Sequence, residues 1–278
     1  MNVNKGNVYL VGAGPGDPEL LTVKALRLLR SADVVLHDNL VTPQILQLIS
    51  PTAEVQNVGK RCGSKTIRQE EINFLMVTRA AAGLQVLRLK SGDPLIFGRA
   101  GEEIEALRQA NIEYEIVPGI TAALGAAAAA AIPLTHRKMS STLVLTAGHR
   151  ATESRAAETE DPDWSRFVSA ESTLVVYMPG SNYGEIASRL KAAGFAAETP
   201  CAIISRATTP EQQLHISAVA DLHLSPRLPS PTLLVVGEVV RFADHDLAID
   251  LPSLRQEIEA AFAQRLDESL SSAAEPWA

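Results

Sequence analysis

Residues 87–103, L-R-L-K-S-G-D-P-L-I-F-G-R-A-G-E-E, contain the three parts of a strand–loop–helix unit. The sequence predicts a strand over 85–89, a tight turn over 90–94 and the start of an amphipathic helix over 99–107. In open α/β sheets ligands bind beside such loops, because strand ends and helix N-termini present backbone groups to a crevice. Arg99 and Glu102 are three residues apart on one helical face. Taken alone, the composition slightly favours a surface turn with a local ion pair.

The composition indicates a folded globular protein. The 278 residues are 46% hydrophobic and 21% charged, which allows two domains of ordinary size. The net charge of −7 argues against nucleic-acid binding, although it permits a local basic pocket. No signal peptide is recognised, and the alanine-rich run 122–134 is too short to span a bilayer, so we predict a buried helix ended by Pro133. We expect a cytoplasmic protein that binds neither nucleic acid nor membrane.

The strand pattern predicts an α/β fold in two parts and a tail. Five strand–helix units fill a predicted N-terminal domain, 1–137, and a second α/β domain covers 138–245, with a polar surface loop at 151–163. The tail, 246–278, carries apolar residues at helical spacing and is predicted to be a helix, partly disordered. Cys62 and Cys201 have neither disulfide nor metal-ligand spacing, so we expect reduced thiols and no metal site.

The first strand-end loop, G-A-G-P-G-D-P at 12–18, invites comparison with a dinucleotide-binding fingerprint. Its glycines stand at 12, 14 and 16, whereas the fingerprint requires the third at 17, where Asp17 stands. An aspartate would also place negative charge where a pyrophosphate sits. The spacing therefore argues against an NAD or FAD site.

Other strand ends carry candidate residues, each with two interpretations. Asp38 could hold a ligand group or a nearby arginine, or cap a helix that starts near Thr42. Lys60 and Arg61 lie between glycines and suit carboxylates or phosphates, but solvated loop charges are as common. The residues around Thr121 suit close approach to a ligand or close helix packing, and Arg137 alone would usually be a surface residue.

The loops between these elements carry motifs in a recognisable order. They are G-A-G-P-G-D-P-E-L-L-T at 12–22, G-K-R-C-G at 59–63, L-K-S-G-D-P-L-I-F-G-R-A-G-E-E at 89–103, V-P-G-I-T-A at 117–122, I-P-L-T-H-R at 132–137, T-A-G-H-R at 146–150, V-Y-M-P-G at 176–180 and P-T-L-L-V-V-G-E-V-V at 231–240. In this order the chain resembles the tetrapyrrole methylase family, and within it the S-adenosylmethionine-dependent uroporphyrinogen III C-methyltransferases. The resemblance covers residues 7 to about 242.

The resemblance implies two α/β domains with the active site in the cleft between them, in a homodimer. It implies that S-adenosylmethionine is held by nine residues: Pro15, Ser91, Gly92, Asp93, Ile96, Thr121, Ala122, Met178 and Ala207. For uroporphyrinogen III it points to Lys60, Arg61, Arg99, Glu102, Arg137 and Met178, with catalytic roles for Arg99, Glu102 and Asp38. The eight carboxylates of this substrate call for a basic cleft in an otherwise acidic protein.

The implied reaction methylates carbons 2 and 7 of the substrate, through precorrin-1 to precorrin-2. The pyrrole carbon is itself the nucleophile, so no serine or cysteine need be activated. In the family the equivalent of Arg99 has been assigned as the base; because an arginine pKa lies above about 12, we expect it also to orient the substrate and stabilise charge.

Two positions depart from the family pattern. Ser91 replaces the first glycine of K-G-G-D-P, and Asn39 replaces an arginine that many relatives have after the strand-end aspartate. The alternatives are a later precorrin methyltransferase of the cobalamin pathway and, from another class, a noncatalytic tetrapyrrole-binding protein. A ribosomal-RNA methyltransferase is disfavoured by the acidic balance, and a dehydrogenase by the glycine spacing.

Overall fold

The computed structural model describes residues 6–59, 67–148, 164–166, 168–169 and 171–243. The expectations for Lys60, Arg61, Cys62, the loop 151–163 and the tail 246–278 lie outside these residues. In the described part, the first half contains strands β1 Val8–Gly12, β2 Val34–His37, β3 Glu54–Asn57, β4 Val86–Lys90 and β5 Tyr114–Val117, and helices α1 Val23–Leu29, α2 Pro43–Leu46, α3 Gln69–Ala81, α4 Ala100–Gln109 and α5 Ala122–Ala129. The second half contains strands β6 Thr142–Ala147, β7 Ser172–Tyr177, β8 Pro200–Ser205, β9 Gln213–Ala218 and β10 Thr232–Val236, and helix α6 Tyr183–Ala192.

The first sheet is parallel throughout, in the order β3-β2-β4-β1-β5. Its central strands β1 and β2 are mostly apolar because both faces of the sheet are covered by helices, while β4 alternates leucines with Arg88 and Lys90. One face packs on α1 and α2, the other on α3 and α4. The strands β1 and β4 are neighbours in the sheet. The chain continues from β1 into α1 on one face of the sheet and from β4 into α4 on the other face. The carboxyl ends of β1 and β4 therefore flank a switch point, where open α/β sheets bind ligands.

The second sheet has the order β6-β7-β10-β8-β9, in which β6 and β7 are parallel and the remaining pairs antiparallel. Residues alternate between its two faces. One face of β7 and β10 presents Leu174, Val176, Leu234 and Val236 to a core that includes α6. The opposite face carries Val175 and packs against α5.

Helix α5 follows the last strand of the first sheet and packs on the second sheet through one apolar cluster. Ala123, Ala126 and Ala127 of α5 pack with Ala202 and Leu233 of the second sheet. Alanines permit this close approach between helix and sheet. The loops at the start of α5 are thereby set against the end of β7. The prediction of two α/β domains is confirmed, and the boundaries at 137 and 245 remain a prediction.

Three local predictions differ from the structure. The pattern after the first loop predicts a helix over about 20–31, but the helix begins at Val23, after a 3-10 turn, because Thr22 caps it by accepting the Ala25 N–H. The helix expected over 122–134 ends at Ala129, since Ala131 adopts a left-handed conformation with φ 53°. Asp38 does not cap the helix near Thr42: α2 begins at Pro43, with Thr42 in the N-cap position. None of the described helices is both long and apolar enough to cross a bilayer.

Candidate active site

Three loops meet at the carboxyl ends of β1, β4 and β5. Gly14 and Gly92 form an isolated bridge, with Gly92 N donating to Gly14 O at 2.7 Å and Gly14 N to Gly92 O at 3.1 Å. A Cβ at Gly12 would lie 2.5 Å from Gly119 N, so these backbones approach more closely than any side chain would allow. The family motifs at 12–22, 89–103 and 117–122 are thus in direct contact.

Asp93 ties two of these loops together. Its Oδ2 accepts from Gly119 N at 3.1 Å and its Oδ1 from Leu95 N at 2.8 Å. A carboxylate that accepts backbone N–H groups on both oxygens holds the loops in register. Its predicted contact with a methyl donor stays a prediction.

The predicted cofactor residues Gly92, Thr121 and Ala122 lie side by side. Gly92 has φ +68°, a conformation that side chains rarely adopt, and a Cβ there would lie 3.5 Å from Ala122 N. Ser91 is half-buried next to it. The wall they form consists of peptide groups and small side chains.

The second domain closes this wall with the residues that follow β7 and β8. The Tyr177 hydroxyl (Oη) lies 2.5 Å from the Thr121 hydroxyl and accepts a hydrogen bond from Ala123 N at 3.0 Å. Met178, which follows, has φ 49° and is 49% exposed.

Other predicted cofactor residues lie at the same junction of the domains. The apolar cluster there packs against the partly buried side chains of Ile96, Ala122 and Ala207. Asp17 N donates to Thr208 Oγ1 at 3.2 Å, and the predicted contact Pro15 lies against Gly125.

Arg99 and Glu102 form a two-pronged ion pair at the start of α4. Arg99 Nε lies 2.8 Å from Glu102 Oε1, and Arg99 Nη2 lies 2.8 Å from Glu102 Oε2. The side chains are 34% and 49% exposed. Arg99 adopts a left-handed conformation, φ 55°, ahead of the helix and not within it. Such a conformation costs energy and is often found at functional sites.

A buried ion network lies between β4, β2 and α4. Glu103, fully buried, accepts from Arg88 Nε at 2.9 Å and from Lys90 Nζ at 2.9 Å. Arg88 Nη2 donates to Asp38 Oδ1 at 2.5 Å, and Gln69 Nε2 donates to Glu103 Oε1 at 3.3 Å. Two cations therefore face two carboxylates, which is how proteins bury charge. The sequence left open whether Asp38 holds a ligand group or a nearby arginine, and the structure shows it bound to Arg88.

Burial and charge act differently on the two cations. Burial disfavours charged Arg88, but the Asp38 and Glu103 carboxylates outweigh it and raise the pKa of Arg88 above its ordinary value. For Lys90, burial lowers the pKa and the Arg88 cation lowers it further, while Glu103 opposes both. Of the two cations, Lys90 is therefore the one less firmly held in its charged form.

The structure does not bring every predicted residue to this site. Arg137 is exposed in a turn that backbone hydrogen bonds close between His136 and Ser140, and its role in substrate binding stays a prediction. The roles of Lys60 and Arg61 also stay predictions. Among the described residues no group of three or more His, Cys, Asp or Glu side chains could hold a metal ion.

Sequence reasoning included a nearby arginine among the possible partners of Asp38, but it missed the network around Glu103, and it missed Tyr177. The signal for the network was available, because Arg88 and Lys90 alternate with leucines in a strand predicted to be buried, and buried cations require carboxylates. Glu103 beside Glu102 was the natural candidate. Tyr177 lay within a recognised motif, but nothing in the sequence indicated that its hydroxyl reaches the other domain.

Comparison with known proteins gives matches that span both domains. The family model described as Tetrapyrrole (Corrin/Porphyrin) Methylases matches residues 7–223. Siroheme synthase of Azotobacter vinelandii is 50% identical over 242 residues, and siroheme synthase 1 of Yersinia enterocolitica is 47% identical over 240. Each alignment covers 86% of this chain, which spans about half the length of these relatives (51% and 50%).

Solved structures match over nearly their whole length. Uroporphyrin-III C-methyl transferase from Thermus thermophilus, complexed with S-adenyl homocysteine, is 39% identical with a TM-score of 0.72, and the match covers 85% of this chain and 99% of that one. A cobalamin biosynthetic enzyme, cobalt precorrin-4 methyltransferase, is 30% identical with a TM-score of 0.72, over 84% and 95% of the two chains. The resemblance that the sequence motifs indicated is confirmed: the chain belongs to the tetrapyrrole methylases.

Proposed function

We propose that this chain is an S-adenosylmethionine-dependent uroporphyrinogen III C-methyltransferase, which methylates carbons 2 and 7 to give precorrin-2 by way of precorrin-1. The observation that carries the proposal is the continuous segment from Ser91, in the loop after β4, to Glu102, in the first turn of α4. It runs from a wall of peptide groups, where Gly92 meets Ala122, to the Arg99–Glu102 pair. A methyl donor and an anionic acceptor would therefore bind at opposite ends of one segment.

The wall around Gly92 suits the proposed methyl donor. Bound S-adenosylmethionine supplies an electrophilic methyl group on a sulfonium, a cation that needs carbonyl groups and apolar surface. Gly92, Thr121 and Ala122 offer backbone groups and small side chains, and Ile96 and Ala207 are partly buried apolar neighbours. The predicted contacts at Pro15, Ser91, Asp93 and Met178 belong to the same proposal.

The end of this segment that carries Arg99 and Glu102 suits a large carboxylated macrocycle. Leu95 and Phe97 are 59% and 44% exposed, and Met178 is 49% exposed, so apolar surface is available for the macrocycle. The Arg99 guanidinium can bind a carboxylate in a bidentate manner. Lys60, Arg61 and Arg137 are proposed as further carboxylate partners.

The chain's own residues would align the reactants and handle one proton for each methyl transfer. Arg99 orients the macrocycle, with Glu102 holding its guanidinium, and stabilises charge that develops on the substrate. Because a guanidinium keeps its proton, we assign proton uptake to the Asp38 carboxylate, which Arg88 fixes at the end of β2. No covalent enzyme intermediate is required.

The test is incubation of the purified protein with S-adenosylmethionine and enzymatically generated uroporphyrinogen III, with absorbance and mass used to follow the products. We expect a monomethylated intermediate followed by a dimethylated product. A protein that binds the cofactor but adds no methyl group would contradict the proposal. Methylation of cobalt precorrin-4 in place of uroporphyrinogen III would favour the second candidate, to which the 30% identical structure points.

We further propose that the protein acts as a cytoplasmic homodimer that binds neither nucleic acid nor membrane. The net charge of −7 supports the exclusion of nucleic acid, since a phosphate-binding surface is usually basic. Sedimentation of the full chain tests the assembly, and a monomer at micromolar concentration would contradict it.

A further inference from the structure

Strand β7 ends at Tyr177, and the side chain of Tyr177 crosses from the second domain to the first. Its hydroxyl lies 2.5 Å from Thr121 Oγ1 and accepts the Ala123 N–H at 3.0 Å. Its ring packs on Phe97 with ring centroids 4.8 Å apart and an interplanar angle of 51°. One side chain therefore contacts both the loop that follows β4 and the loop that follows β5.

The hydroxyl of Tyr177 takes the place of a helix cap. Helix α5 begins at Ala122, and the N-cap residue Thr121 makes no side-chain capping bond of its own. The N–H of Ala123 would have no acceptor within the helix, and Tyr177 from the other domain supplies one. Tyr177 is only 8% exposed, and burial raises its pKa, so the hydroxyl keeps its proton at neutral pH.

The backbone of Tyr177 is held as firmly as its side chain. Tyr177 O accepts from Gly148 N at 2.7 Å, and Tyr177 pairs with Ala147 in the parallel register of β6 and β7. Met178, the next residue, leaves the strand with φ 49°. A Cβ at Gly148 would lie 2.6 Å from Met178 O, so this exit path is tightly packed. The position of Met178 therefore follows from that of Tyr177.

We propose that Tyr177 is a positioning residue that sets the separation of the two walls of the methyl-donor pocket, Thr121–Ala122 in the first domain and Met178 in the second. The inference rests on the proposed function, because it assumes that these residues hold S-adenosylmethionine. Tyr177 acts through Thr121, Ala123 and Met178 and need not touch the cofactor.

The test is Tyr177→Phe, which keeps the ring against Phe97 and removes only the hydroxyl. The affinity for S-adenosylhomocysteine, measured by calorimetry, should fall about tenfold, and the KM for S-adenosylmethionine should rise by about the same factor. The KM for uroporphyrinogen III should rise less than the KM for S-adenosylmethionine, since the carboxylate partners Arg99 and Glu102 lie beyond the altered contact and the two ligands share only part of the affected surface. Tyr183→Phe is the matched control, because Tyr183 is 4% exposed in the same domain and lies on α6; its cofactor affinity should equal that of the unaltered protein.

A second variant keeps the test decisive if Tyr177→Phe fails to fold. Thr121→Val removes the hydroxyl that faces Tyr177 and nearly preserves the volume of the side chain. By itself it should weaken cofactor binding, and an unchanged affinity would overturn the proposal. Where Tyr177→Phe folds, the two effects should combine in the double variant to less than their product, because both changes remove one shared contact. Fully multiplicative effects would overturn the proposal.

Two further results would also overturn it: an unchanged cofactor affinity in Tyr177→Phe, or an equal weakening of both ligands together with a lowered Tm, which indicates a structural role alone. Failure of the proposed function would look different. In that case the unaltered protein would itself fail to bind S-adenosylhomocysteine or to methylate uroporphyrinogen III.

Discussion

The two sheets contribute to the site in different ways. The first is parallel, so the loops after β1, β4 and β5 all emerge at one edge and meet there. In the second sheet β7 and β8 run in one direction and β9 and β10 in the other, so only part of its strands end at the site, and it contributes mainly the short segments after β7 and β8. Strand direction thus decides which domain assembles the ligand loops and which supplies a closing wall.

The cores of the two domains differ as well. In the described part of the chain the charged residues that are buried, Arg88, Lys90 and Glu103, all belong to the first domain. The strands of the second sheet bury apolar side chains, a few hydroxyl groups and the Cys201 thiol. A network of directional bonds therefore joins β4, the end of β2 and α4 in the first domain, whereas the buried side chains of the second sheet interact mainly by packing.

The largest expected effect concerns Arg99, at the edge of the first sheet. Arg99→Ala should lower turnover about a hundredfold or more, because a charge that stabilises the transition state is lost, while S-adenosylmethionine binding survives. Alanine keeps a Cβ, so the left-handed backbone at this position is no more strained than before. Steady-state kinetics and calorimetry check the two parts.

Arg241→Ala provides the matched control for Arg99. Arg241 forms an ion pair of the same i,i+3 type with Glu238 in the second domain, where its side chain is 58% exposed. Its removal should leave turnover unchanged, since exposed pairs of this kind contribute little. Loss of cofactor binding in Arg99→Ala would show that Arg99 belongs to the cofactor pocket and not to the substrate side of the site.

The second prediction breaks the ion network of the first domain. Glu103→Ala should lower the free energy of unfolding by about 3–5 kcal/mol, because it leaves Arg88 and Lys90 buried with a single carboxylate, that of Asp38. Denaturant unfolding measures the change. Glu105→Ala, an exposed position on the same helix, should change stability by less than about 0.5 kcal/mol. Equal effects would mean that the network contributes nothing beyond helix propensity.

Much of this organisation could be predicted from the sequence because hydrophobic runs and glycine-bounded loops are local signals. The strand positions followed from them, whereas the contact between the loops at Gly14, Gly92 and Gly119 depends on strand order, which no local signal gives. The cap on α5 could not be predicted in this way, since Tyr177 and Ala123 are joined only by the packing of two domains. Nor does spacing reveal that Arg99 precedes its helix in a left-handed conformation.

The third prediction concerns the apolar core of the second domain at high pH. Burial raises the pKa of the Cys201 thiol from 9.0 to about 12, so unfolding releases a proton above pH 9 and stability falls as pH rises. Between pH 9 and 11 this thiol should lower the free energy of unfolding by about 2 kcal/mol. In Cys201→Ala the free energy of unfolding should therefore fall by that much less over the same pH range, as measured by unfolding in the presence of a reductant. Identical pH profiles would show that Cys201 becomes accessible without unfolding. The opposing trend from Lys90 is common to both proteins and cancels in the comparison.

The smallest expected effect concerns Ser91, where the chain departs from the family's K-G-G-D-P. Ser91 is not among the residues with positive φ, whereas Gly92 has φ +68°, so the backbone accepts a hydroxymethyl group at 91 but not at 92. Ser91→Gly should change the KM for S-adenosylmethionine less than about threefold and lower stability by about 0.5–1 kcal/mol through added chain entropy. Gly92→Ala, one residue away, should raise that KM much more, since it strains the backbone beside Ala122. A tenfold change in Ser91→Gly would mean that the serine hydroxyl binds the cofactor, and the wall of the first domain would then depend on a side chain as well as on its peptide groups.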